Sequence, residues 1–212
     1  MSNRPLPIPG PGTTFLLMDA IALLKQDHRF VEDLFKKFEK AGDEAFKVKR
    51  KLVDQMIAAL STHAAIEEQL FYPTVRLLQK LEDDVLEAIE EHGVVKWILS
   101  ELEKLAPEAE RFDAKVAVLM DLVRHHVQEE EQELFPKVRK ATKPADLKTL
   151  GMALEKAKKL APKRPHPRAP DAPPGNLVVG TVAGVLDRGV EMIQAALGRS
   201  HEPPPKRNQA SR

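Results

Sequence analysis

"HVQEEEQELFP", residues 126–136, has a twin in the same chain: "HAAIEEQLFYP", residues 63–73. The two align without gaps at an offset of 63, pairing His63 with His126, Glu67 with Glu130, Glu68 with Glu131 and Pro73 with Pro136. A weaker match at offset 64 joins "DHRFVEDLF" (27–35) to "EHGVVKWIL" (91–99) and pairs His28 with His92. A unit repeated in this way, with one histidine per segment, reads as a duplicated helical hairpin.

The hydrophobic pattern agrees. Asp19 is a suitable N-cap, and Ile21, Leu24, Val31, Leu34, Phe35 and Phe38 follow at helical spacing. Gly42 and Asp43 mark a turn, and a second helix runs through Leu52, Met56, Leu60, Ile66 and Leu70 to Pro73 or on to Gln79. A third spans about Asp83 to Leu105 and stops before Pro107. A fourth carries Val116, Leu119, Val123 and Val127 towards Lys140. No segment alternates with period two. The fold class predicted is all-α: an up-down-up-down four-helix bundle over residues 15–140, with a C-terminal helical and Pro-rich extension.

Around the bundle the pattern predicts an extended Pro-rich arm at 1–14, a shorter helix over 141–161 opened by Pro144, and a Pro-rich linker at 162–176. Residues 177–212 read as a last helix, docked back on the bundle, and a polar tail. Of the 212 residues none is cysteine, which excludes disulfides, thiolate metal sites and cysteine nucleophiles. No secretory leader or run of about 18 apolar residues occurs, so a cytoplasmic protein with no membrane partner is expected. The formal charge of +1 is unevenly spread. Residues 1–139 carry 19 Lys and Arg against 26 Asp and Glu, and residues 140–212 carry 14 against 6. No nucleic-acid motif accompanies the basic end, so it is expected to pair with the acidic bundle rather than with nucleic acid.

Position separates the histidines from ordinary polar residues. His28, His63, His92 and His126 all fall within apolar stripes, and Glu67 and Glu130 lie one turn beyond two of them on the same face. A single inward histidine is usually a core residue with a local hydrogen bond. Four at matched levels, with two inward carboxylates, need many partners, because a buried charge without a counter-ion is costly. A metal centre satisfies all six together. Imidazole and carboxylate suit iron, manganese or zinc. Two glutamates on facing helices can bridge a pair of ions, for which carboxylate-bridged di-iron is the natural match.

These motifs, "DH", "HxxxEExxxYP", "EH" and "HxxxEExxLFP", resemble the hemerythrin-like HHE cation-binding proteins over residues 19–140. The resemblance implies two iron ions in a non-haem di-iron centre, oxo- or hydroxo-bridged when oxidised. It implies His28, His63, His92 and His126 as terminal ligands and Glu67 and Glu130 as bridges. Two departures stand out. Oxygen-carrying hemerythrins have a second histidine four residues after the one on helix three, where this chain has Lys96. Their helix-four carboxylate lies five residues after its histidine, which selects Glu131, whereas the internal repeat selects Glu130. With one histidine fewer, oxygen transport gives way to binding or reaction of O2, peroxide or nitric oxide in a redox or sensing role. The alternative is an iron-binding or iron-sensing module without catalysis.

Smaller expectations complete the reading. Glu32 is a surface residue before it is a ligand, and His125, Glu129 and Glu133 face outwards. Tyr72 and Trp97 are expected in packing roles. His166 and His201 are expected to be exposed. The "RPHPRAPDAPP" segment with "DRG" further on resembles a tail of some bacterial members.

Overall fold

A computed structural model of the chain describes residues 18–76 and 81–167. The predicted N-terminal arm and the last helix lie outside these residues, as does most of the Pro-rich linker. The described part is helical, with no strand. Helix α1 spans Ala20–Glu39, and Asp19 caps it by accepting from the Ala22 N–H at 2.9 Å. The second rod is α2 (Phe46–Ile66), a π-helical turn π1 (Glu67–Phe71) and α3 (Tyr72–Arg76). The third is α4 (Glu82–Leu102). The fourth repeats the second as α5 (Phe112–Glu129), π2 (Glu130–Leu134) and α6 (Phe135–Ala141). A fifth helix, α7, covers Pro144–Lys158.

The π-turns follow from the repeat itself. In an α-helix the ring of Pro73 would press on the carbonyl four residues back, as would that of Pro136. Widening the preceding turn relieves that clash. The Tyr72 N–H therefore bonds the Glu67 carbonyl and the Phe135 N–H the Glu130 carbonyl, both five residues back. Each π-turn begins at one of the two inward glutamates.

Two apolar clusters fill the bundle. One joins Leu24, Ile66, Phe71, Tyr72, Val85 and Phe135 to the inner face of α7, namely Leu147, Leu150, Leu154 and Ala157. The other packs Phe35, Met56, Leu99, Phe112 and Leu119 near the α1–α2 and α4–α5 turns. Burying each leucine of α7 stabilises by roughly 1.5–3 kcal/mol. Gly151 makes that docking close: a Cβ there would lie 2.3 Å from the Met18 carbonyl oxygen. The four histidines fall between the two clusters, in a polar layer across the bundle. Among the described residues no helix is long and apolar enough to cross a membrane.

Candidate metal centre

His28 from α1, His63 from α2, His92 from α4 and His126 from α5 meet in this layer, each no more than 5 % exposed. Glu67 and Glu130, at the starts of the π-turns, are 0 % and 2 % exposed. His28 Nε2 lies 3.2 Å from His63 Nε2, and His92 Nε2 lies 3.1 Å from His126 Nε2. Glu67 Oε2 is 3.0 Å from His63 Nε2 and 3.5 Å from His92 Nε2. Glu130 Oε2 is 3.3 Å from His28 Nε2 and 3.5 Å from His126 Nε2. Each carboxylate thus reaches one histidine of each pair. Two donor groups result: His28, His63, Glu67 and Glu130, then Glu67, His92 and His126, with the donor atoms of each within 4.8 Å of one another.

The far side of each ring is held by a second carboxylate. Glu131 accepts from His28 Nδ1 at 2.9 Å, Glu68 from His92 Nδ1 at 3.1 Å and Glu91 from His126 Nδ1 at 2.7 Å. Asp27 stands 3.7 Å from His63 Nδ1, an ion-pair distance too long for a hydrogen bond. A carboxylate can only accept, so in the three bonded rings Nδ1 carries the hydrogen and Nε2 turns its lone pair inward. The inward nitrogens of the two pairs lie 3.2 Å and 3.1 Å apart. Two neighbouring donors each about 2.1 Å from one cation would lie about 3.0 Å apart.

The remaining polar atoms point the same way. Both oxygens of Glu67, Glu130 Oε2 and His63 Nδ1 are buried without a hydrogen-bond partner. Burial presses the His63 imidazole towards neutrality, but Glu67, Asp27 and Glu130 together outweigh it and raise the pKa to about 10. Burial and the neighbouring Glu130 push Glu67 up. Glu130, itself pushed up by burial, is drawn down to about 2 by His126, His28 and His63. Protons occupy the place of a cation when none is bound. Orphaned oxygens, converging imidazoles and the absence of sulfur donors fit a hard or borderline divalent ion.

Residues 19–138 match the profile of the hemerythrin HHE cation binding domain. The chain belongs to that family. It is 26 % identical over 173 residues to an uncharacterised hemerythrin-like protein of Schizosaccharomyces pombe, spanning 80 % of this chain and 83 % of that one. It is 32 % identical over 117 residues to a DNA nickase of Nostoc, a match that spans 55 % of this chain and 32 % of the nickase. A crystal structure of a hemerythrin HHE cation binding domain-containing protein from Mycobacterium kansasii superimposes with a TM-score of 0.59 at 24 % identity, covering 68 % of this chain and 86 % of that one, and so shares the fold.

Within this hemerythrin HHE fold, all six residues expected from the sequence come together. Of the two rival glutamates, Glu130 faces the centre and Glu131 stands behind it against His28. Tyr72 departs from the expected packing role. Its hydroxyl donates to Glu130 Oε1 at 3.0 Å and lies 3.4 Å from His92 Nε2. Burial, Glu130 and Glu67 raise its pKa well above that of a free phenol. In a regular α-helix a residue five beyond Glu67 lies about 140° round the axis, but the π-turn returns it to the same face. Trp97, expected in the core, is 53 % exposed on α4, since the inward face is taken by Val95, Ile98 and Leu99.

Lys96 occupies the place of the missing histidine. Its ammonium lies 3.0 Å from Glu68 Oε1, the carboxylate behind His92. Lys25 stands likewise 3.0 Å from Glu131, and Lys158 of α7 bonds Asp27. Glu32 pairs with Arg124 at 3.0 Å, so it is a surface residue as expected. His125 and His166 are exposed, and His201 lies outside the described residues. The backing carboxylates had a signal in the sequence: each is adjacent to an inward ligand, at Asp27 and Glu91 and again at Glu68 and Glu131.

Proposed function

We propose that His28, His63, Glu67, His92, His126 and Glu130 hold two iron ions, with the glutamates bridging, and that the centre binds or reacts with O2, peroxide or nitric oxide. The observation that carries this reading is an opening to the centre. A cleft lined by Val31, Leu60, Ala64, Val95, Val123 and Val127, with Asp27 as its one carboxylate, touches all four histidines. Small neutral ligands enter such a space at little cost, whereas bulk water and ions are disfavoured by its apolar walls.

Iron bound there would supply a Lewis acid and a one-electron redox couple. The protein supplies the rest. Glu131, Glu68 and Glu91 fix the imidazole orientation and raise donor basicity. Tyr72 places a phenolic proton against Glu130 Oε1, next to one histidine pair only, and Phe135 takes the matching place in the other half, stacked on His28 at 5.8 Å. The two halves of the centre are therefore unequal. With Lys96 engaged by Glu68 rather than adding a ligand, a redox or sensing role is favoured over oxygen transport.

Anaerobic metal analysis followed by absorption spectra before and after O2, peroxide and nitric oxide tests the proposal. About two iron per chain and new near-ultraviolet bands are expected. Full metal content with no response to any of the three ligands would sink it.

The Lys158–Asp27–His63 chain favours a second reading, in which iron occupancy is reported through α7. Limited proteolysis of the segment after Lys158 should then differ between iron-loaded and iron-free protein, and equal cleavage rates would remove this reading.

A further inference from the structure

The duplicated halves are not used alike. At the α1 and second-rod side, Ala20, Leu23, Ile66 and Leu70 are at most 4 % exposed and lie beneath the leucines of α7. Asp27 on the same side is held by Lys158. The repeat offsets place Asp84, Glu87, Glu129 and Glu133 at the positions of those four apolar residues, and Glu91 at that of Asp27. No described helix covers them. They line instead a solvent-open pocket with about 380 Å3 of open space, its mouth included.

The floor of the pocket is the centre itself. His126 and Glu130 both line it, and Glu130 is 2 % exposed with its Oε2 lacking a hydrogen-bond partner. Near the mouth, Glu91, His125 and Glu129 bring donor atoms within 4.8 Å of one another. His125 Nε2 is 3.2 Å from Glu129 Oε1 and 3.9 Å from Glu91 Oε1. The other oxygen of Glu91 accepts from His126 Nδ1, so a single carboxylate belongs to both the outer group and the inner one. At the rim Lys137 lies 2.8 Å from Asp84.

We propose that this acidic pocket is the route by which divalent cations enter the centre, with Glu91, His125 and Glu129 as the first station. The proposal rests on the metal centre described above. Carboxylates clustered in a cleft raise the local cation concentration and speed capture, an effect that falls with ionic strength. The mixed imidazole and carboxylate set at the mouth suits the same ions as the donors within. The apolar cleft on the other face would then serve neutral ligands, and charged and uncharged traffic would use separate openings.

Stopped-flow mixing of metal-free full-length protein with Co2+, and anaerobically with Fe2+, tests this. Wild-type uptake should slow markedly as salt is raised. The triple variant E87Q/E129Q/E133Q should load roughly tenfold or more slowly, within the range of electrostatic steering, yet reach the same final metal content. The variant E44Q/E108Q/E110Q removes equal charge from exposed positions in the turns at the other end of the bundle and should load at the wild-type rate. Unchanged uptake by the first variant, equal slowing of both, or wild-type uptake indifferent to salt would each overturn the route. A fall in the final metal content of E87Q/E129Q/E133Q would assign those carboxylates to holding the metal and also overturn it. Failure of the wild type to take up either ion would overturn the metal centre along with its entry path.

Discussion

The hydroxyl of Tyr72 donates to Glu130 Oε1 at 3.0 Å, while Phe135, its counterpart in the repeat, lies parallel to the His28 ring with nothing to donate. Next to the inward carboxylates, one hydroxyl therefore sets the two halves apart. Replacing it by Tyr72→Phe leaves Glu130 Oε1 buried and short of a partner, a cost of about 1–3 kcal/mol. Metal content should persist, because neither pair of histidines is touched. Spectra and reaction rates with O2 or peroxide should change. Kinetics identical to wild type would show that the hydroxyl serves packing alone.

Glu130 and Glu131 differ by one position and should differ in consequence. Glu130→Gln removes a carboxylate that approaches both histidine pairs, and bound metal should fall well below the wild-type content. Glu131→Gln weakens the hold on His28 Nδ1 and the pairing with Lys25 but removes no inward donor, so full loading is expected with about 10–100-fold weaker affinity. Competition with a chromophoric chelator separates the two, and the reverse order would reassign the bridge.

Metal binding should release protons. With its pKa raised to about 10 chiefly by Glu67 against the opposing effect of burial, His63 is protonated in the metal-free protein at neutral pH. A cation must displace that proton, so apparent affinity rises from pH 6 to pH 9. The folded pKa lies above the unfolded value of about 6.5, so the protonated ring stabilises the metal-free fold fully below that value. The contribution disappears as the pH rises through about 10. Thermal melts of metal-free protein should therefore fall across this window, while loaded protein stays nearly flat. Parallel curves for the two forms would contradict the assignment.

The fifth helix should be felt at the centre. Gly151→Ala forces a methyl group against the backbone at Met18 and Ala20 and should destabilise by about 1–3 kcal/mol. Lys158→Met keeps the packing and removes only the ammonium from Asp27. It should leave the melting temperature nearly unchanged but shift the ferrous–ferric potential of the loaded protein, by freeing Asp27 to approach His63. A potential equal to that of the wild type would confine Lys158 to surface pairing.

How much of this was legible beforehand depends on how each feature is encoded. The rods and the inward positions of His28, His63, His92, His126, Glu67 and Glu130 follow from apolar spacing along single helices. The repeat made Glu130 the stronger candidate over Glu131 by showing that its twin is Glu67. Trp97 turns outwards, against the expectation of a packing role, because a residue beside the inward stripe can turn either way and the neighbouring Val95 and Ile98 fill the space.

The sequence by itself determined an all-helical duplicated hairpin and the six residues turned to its interior, since helical periodicity fixes the face of each residue within its own rod. Tertiary structure decided which residues meet across rods: Tyr72 with Glu130, Lys96 with Glu68, Lys158 with Asp27. It also decided that the described helices leave one acidic wall open while its apolar twin is covered by α7. Helical spacing says nothing of neighbouring rods, and the π-turns before Pro73 and Pro136 shift the phase that simple spacing assumes.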